Sequence, residues 1–163
     1  MSNHAHFVVV PMKDTSLAKT FNTLHMRYSQ YFNHKKKISG HLWQGRFYSC
    51  ILDEIHLYSA IRYVENNLVR AGIAQEPQMY NWSSARAHID GKIDYILSND
   101  CFIVNEIQNW SSYLSEVQDE AMINNIRKNS ATGRPCGDDY FVEKIETFIG
   151  KRLKAQAKGR PFK

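Results

Sequence analysis

The segment that most constrains this chain runs from Asp53 to Gly72. At about 100° per residue, Leu57, Ile61, Val64 and Leu68 fall on one narrow stripe of a helix, and such a stripe must be covered by other parts of the chain. Asp53 and Glu54 supply the start of that helix, and Gly72 stands at the usual left-handed C-cap. His56, Tyr63, Asn67 and Arg70 cluster about a quarter turn from the stripe, at the border of core and solvent. Tyr63 and Asn67 are four apart and therefore adjacent on the helix surface. Taken alone, Tyr63 reads as a boundary aromatic with a wet hydroxyl.

Other elements follow from the same signals. The opening "MSNHAHFVVVP" predicts a strand over residues 3 to 10. "KDTS" offers Asp14, Thr15 or Ser16 as an N-cap, and Leu17, Phe21, Leu24 and Tyr28 then recur at helical spacing to about Asn33. "HKKKISG" breaks that helix, and "HLWQGRFYSCIL" is aromatic and β-branched enough for a strand or hairpin around Gly45. "EPQMYNW" is a turn, Trp82 to His88 a short helix, and two or three helices follow from about Asn105, the last closed by Gly150. Cys50, Cys101 and Cys136 are odd in number and lack C-x-x-C spacing, so they read as reduced and structural. No run reaches the ~18 to 20 apolar residues of a membrane span and no signal peptide precedes the first strand, which predicts a soluble, cytoplasmic protein without a membrane partner.

The opening pair raises a chemical question. Residues i and i+2 of a strand share a face about 6.6 Å apart, so His4 and His6 can reach one metal ion while Ala5 and Phe7 pack behind them. Alone, two histidines at a terminus are also what frayed residues look like. The charge distribution adds to the question. Residues 1 to 52 carry seven Lys/Arg and one acid, residues 53 to 150 eight against fifteen, and residues 151 to 163 six against none. Two basic blocks flanking a moderately acidic middle suit a polyanion, because phosphate contacts supply most sequence-independent nucleic-acid affinity. Trp43, Phe47 and Tyr48, interleaved with Gln44 and Arg46, suit the stacking of unpaired bases while Lys35, Lys36 and Lys37 track phosphates; an ordinary aromatic core face is the other reading of the same residues.

At this point "NHAHFVVVP", "GHLWQGRFYSC", "RYVENNLVRAG" and "NWSSARAHIDG" resemble, in order, the blocks of the REP-associated tyrosine transposases, single-tyrosine members of the HUH nuclease superfamily. The resemblance runs to about residue 90 and continues weakly through "TGRPCGDDYF". It implies an α+β, ferredoxin-like core, an antiparallel sheet holding the histidine strand with helices on one face, followed by a C-terminal helical segment. It also implies roles: His4 and His6 as the metal pair, Tyr63 as the nucleophile, Asn67 completing the metal site. The implied reaction is cleavage of single-stranded DNA beside hairpins, through a 5′-phosphotyrosine and a free 3′-hydroxyl.

The chemistry agrees with those parts. A divalent ion held by two imidazoles and an amide can act as a Lewis acid on a phosphodiester, and Mg²⁺ or Mn²⁺ suits such ligands, with zinc also compatible. A free tyrosine has a pKa of about 10 and is a poor nucleophile at neutral pH, so the phenolate needs a stabilising charge; the metal, Arg62 and Arg70 are candidates. Arg62 and Arg70 are also candidate DNA contacts, as is Arg160. The last lies in "KGRPFK", which contains a Gly-Arg-Pro core of the kind that enters an A·T minor groove, or is simply part of a basic disordered arm.

The domain reading is therefore a catalytic domain over 1–97, a helical region over 98–150 that is either a helix-turn-helix or a plain helical hairpin, and a basic tail over 151–163. Relatives place a strand, a helix and a second strand before the histidine strand, so the resemblance implies a core incomplete at the N-terminus. Leu68 and Ser2 also stand where relatives usually carry proline. The competing expectation is a DNA-binding remnant that recognises single-stranded or hairpin DNA without cutting it; a fragment that does not fold alone is the third. A monomer and a homodimer are both compatible with the sequence.

Overall fold

A computed structural model of the chain describes residues 4–98 and 100–154. Arg160 and most of the basic tail lie outside the described residues. The chain divides into two compact units: Val8–Ser49 forms one, and the described residues on either side of it form the other.

In the first unit, α1 spans Ser16–Lys36, three residues beyond the expected end. His34, Lys35 and Lys36 occupy its last turn, where positive side chains complement the helix dipole. Lys37 ends it in the left-handed region at φ 54°, and Asn33 Nδ2 donates to the Gly40 carbonyl at 3.0 Å to hold the exit. Of the predicted stripe only Phe21 is buried, against the Phe47 ring at 4.8 Å. Trp43 stacks on His25 at 4.1 Å and donates its indole N–H to the His25 carbonyl at 3.0 Å.

The second unit is built around α2, Glu54–Glu65, and its short continuation α3, Asn67–Arg70, with a break at Asn66 in the expected single helix. Asp53 caps α2 by accepting from the His56 N–H at 2.8 Å. Gly72 closes α3 at φ +66°, a conformation that costs a residue with a Cβ more than it costs glycine. Then come α4 (Ala85–Asp90), α5 (Phe102–Glu106), α6 (Trp110–Ser115), α7 (Glu120–Thr132) and α8 (Asp139–Ile149). Asn109, Asp119 and Asp138 cap the last three through their side chains, each satisfying amide donors that a helix start leaves free. No helix among the described residues is long and apolar enough to cross a membrane.

Two apolar clusters clamp α2. On one side Ile61 packs with Ala85, Ile103, Trp110, Tyr113 and Leu114; on the other Ala60 packs with Ile126 and Cys136, with Cys50, Leu52 and Met122 around them. Full burial of a side chain such as Ile103 is worth about 1.5 to 3 kcal/mol. The predicted stripe is thus wider than expected, because helices approach from two directions and bury Tyr63, Glu65 and Asn67 as well.

The expected ferredoxin-like α+β core is not what forms. Among the described residues 54% are helical and no sheet forms. Residues 4–10 are irregular and Phe7 to Val10 are exposed, Val10 at 86%. A strand exists only through a ladder of hydrogen bonds to a neighbouring strand, and among the described residues no such ladder forms along this segment. The "HLWQGRFYSCIL" stretch also forms no hairpin, since Trp43 and Phe47 are engaged with α1 rather than with a facing strand. Among the described residues strand-like pairing is limited to one parallel bridge, Leu52 with Cys136, in which the Cys136 N–H donates to the Ile51 carbonyl at 2.8 Å and the Asp53 N–H to the Cys136 carbonyl at 2.9 Å.

Candidate functional site

Although the strand is absent, the histidines still arrive beside the tyrosine. The His4 and His6 rings lie 4.9 Å apart in an edge arrangement, and the His6 ring meets the Tyr63 ring edge-on at 5.7 Å. Surrounding protein desolvates His6, and the charges of His4 and Arg70 add to the effect, so its imidazole is held below the ordinary histidine range. That favours the neutral form, the one that can ligate a metal.

Tyr63 is enclosed at 9% exposure. The guanidinium of Arg70 lies over its ring at 4.2 Å and donates from Nη2 to Asn67 Oδ1 at 2.9 Å. Arg127, on α7, donates from Nε to the Tyr63 hydroxyl at 3.3 Å. His4, His6, Tyr63, Asn67 and Arg70 are therefore joined by a chain of contacts, with Arg127 added from a helix that sequence reasoning left out of the site. No local pattern pointed to Arg127, because its relation to Tyr63 is made by the packing of α7 on α2.

Among the described residues no group of three or more His, Cys, Asp or Glu side chains could hold a metal ion. The donors available near Tyr63 are two imidazoles and the Asn67 amide. The Asn67 amide oxygen accepts from Arg70 Nη2. By donor type two imidazoles and an amide suit a divalent ion, and the Arg70 and Arg127 charges beside Tyr63 are unfavourable neighbours for it. Together the groups form a cationic niche around one phenol, suited to an anionic ester.

The other predicted residues divide. Arg62 turns away from Tyr63: its guanidinium stacks over the Tyr113 ring at 4.2 Å and pairs with Glu116. Burial pushes the Tyr113 phenol up to about 12, with its hydroxyl donated to the Tyr58 carbonyl. In the Val8–Ser49 unit, Lys35, Lys36, Lys37, Gln44 and Arg46 are exposed, and Lys35 Nζ donates to the Tyr31 hydroxyl at 3.2 Å. Trp43 is half-buried on α1, whereas Tyr48 projects freely at 77% exposure.

One buried cluster escaped sequence reasoning altogether. Glu65, 2% exposed, accepts from Ser84 Oγ at 2.6 Å through Oε1, and His88 Nδ1 lies 2.7 Å from the same oxygen. The His88 ring stacks on Trp110 at 4.1 Å, so this group braces α4 and α6 against α2.

Residues 1–67 match the sequence model of the family described as "Transposase IS200 like". The matched stretch contains His4, His6, Tyr63 and Asn67 and stops short of Arg70 and Arg127. Similarity to transposases of that family suggests a transposase function. Neither the curated proteins nor the solved structures contain a match to this chain.

Proposed function

We propose that the chain cuts and rejoins single-stranded DNA as a tyrosine transposase or nickase, with Tyr63 as its nucleophile. The observation that carries this reading is the contact between His6 and Tyr63, which come from opposite ends of the stretch similar to IS200-like transposases. Tyr63 Oη attacks the phosphorus, the bond to the 3′ oxygen breaks, and a 5′-phosphotyrosine and a free 3′-hydroxyl result. The covalent link conserves the energy of the cut bond, so rejoining needs no nucleotide triphosphate.

Arg70 orients the phenol by lying on its ring, and its bond to Asn67 fixes the amide. His4, His6 and Asn67 would hold Mg²⁺ or Mn²⁺, which supplies Lewis-acid stabilisation of the phosphodiester oxygens. The narrower substrate in this proposal is unpaired DNA beside a hairpin of the REP type. Lys35, Lys36, Lys37, Gln44 and Arg46 contact its backbone and Tyr48 offers a free ring for stacking, the part that Trp43 cannot play while it is packed on His25.

The enclosure of Tyr63 favours a second reading, a protein that binds such DNA without cutting it. Incubation with an end-labelled hairpin oligonucleotide and Mn²⁺ separates the two. A labelled band that survives denaturing electrophoresis and is lost in Tyr63→Phe supports the nuclease. A native gel shift with no such band overturns it in favour of binding alone.

A further inference from the structure

The family similarity ends at residue 67, yet the atom that would attack DNA is held by a residue far beyond it. Arg127 lies on α7, the helix that Ile126 and Met122 brace against the α2 face holding Ala60. Its Nε donates to the Tyr63 hydroxyl at 3.3 Å, its guanidinium carbon is 5.3 Å from the Tyr63 ring centroid, and its Nη1 donates to Asn124 Oδ1 at 3.2 Å. Asn124, one turn back on the same helix, thus steadies the guanidinium, while Nη2 has no partner among the described residues. Arg70 is placed differently: it lies over the ring face and is committed to Asn67.

We propose that Arg127 is a catalytic residue of the Tyr63 reaction, a fixed cation that α7 presents to the phenol oxygen and to the phosphate it attacks. The proposal rests on the nuclease reading above. A guanidinium stays protonated and cannot serve as the base. Its contribution is electrostatic: Nε holds the negative charge that develops on the phenol oxygen, and Nη2 is free to meet a non-bridging phosphate oxygen. In the balanced step the Tyr63 O–P bond forms as the P–O3′ bond breaks with its electron pair going to the 3′ oxygen. The phenol proton passes to solvent, and the 3′ oxygen takes one from solvent. The helical region after residue 98 then completes the catalytic site.

Arg127 is exposed, so its replacement spares the core, and circular dichroism of each variant checks this. Two readouts separate the proposal from the reading it rests on. The first needs no DNA: an aryl sulfonyl fluoride labels the phenol, fluoride leaves, and peptide mass spectrometry follows the rate at Tyr63. Arg127→Gln should slow this labelling about tenfold, as expected for losing one hydrogen bond to a charged group, and Arg127→Lys should restore part of it. The second is single-turnover adduct formation with labelled single-stranded DNA and Mn²⁺. Here Arg127→Gln should lose about 100- to 1,000-fold, the usual range for one transition-state donor, with DNA affinity by fluorescence anisotropy falling by much less than the rate. Labelling and adduct rates in Arg127→Gln equal to the parent's would overturn the proposal. Arg127-dependent labelling in a parent protein that forms no adduct would overturn the nuclease reading while supporting the hold of Arg127 on the Tyr63 oxygen.

Discussion

Replacing Ile126 by alanine tests the packing that brings α7 to the tyrosine. Ile126 is 5% exposed and sits with Ala60 and Cys136 on the α7 side of α2. The substitution removes three carbons from a closed interior. At about 0.8 kcal/mol per buried methylene the transfer loss is about 2.4 kcal/mol. The cavity left behind raises the expected total into the range of about 2 to 5 kcal/mol. For a chain of this size a loss of 3 kcal/mol lowers Tm by roughly 10 °C. Phe148→Ala is the control, since that ring on α8 is 88% exposed and its truncation should cost within about 0.5 kcal/mol. Urea titrations followed by circular dichroism at 222 nm measure both. Equal costs for the two variants, or a cost below about 0.5 kcal/mol for Ile126→Ala, would refute the two-sided clamp on α2.

The Cys50 thiol is drawn down to about 6, first by the neighbouring Cys136 thiol, against opposing burial, and also by Ser130, whose hydroxyl lies 3.3 Å from its sulfur. Alkylation of Cys50 by iodoacetamide should rise through about pH 6 and level off near neutrality, with Cys136, pushed up by the same contact, unreactive; a Cys50 midpoint near that of a free thiol, about 8.5, would contradict this. For His6 the folded form disfavours protonation, so its contribution to stability is complete above the unfolded value of 6.5 and is lost as pH falls through the lower folded value. Urea midpoints should therefore fall between pH 7 and 5 in the parent and fall less in His6→Ala. Substituting glutamine at Lys35, Lys36 and Lys37 together should reduce the slope of log affinity against log salt for single-stranded DNA by about 2, at about 0.7 per lost phosphate contact; an unchanged slope removes these lysines from the interface.

The helical framework was legible where its signals are local. Asp53, the Ile61 and Leu68 positions and Gly72 all act in the structure as their spacing implies. The sheet was misread for a physical reason. Phe7 to Val10 have the residue types of a strand, but a strand is a relation between segments, and composition at one segment does not report whether another pairs with it. Trp43 and Phe47 had two open readings, and contact with α1 engages both in the interior of their unit. Arg62 and Arg70, eight residues apart on consecutive helices, looked equivalent as cations. Tyr113 and Glu116 claim the first and Tyr63 the second, because different neighbours cover the two sides of α2. Glu65 likewise gave no sign of burial, since Ser84 and His88 reach it from a later segment.

Tandem mass spectrometry of the covalent protein–DNA product tests the assignment of Tyr63 most directly. The parent protein is incubated with single-stranded hairpin DNA and Mn²⁺, digested with nuclease and protease, and searched for a phosphonucleotide on each of its nine tyrosines. The account predicts a 5′-linked nucleotide on the peptide containing Tyr63 and on no other. A nucleotide on any other tyrosine would contradict it.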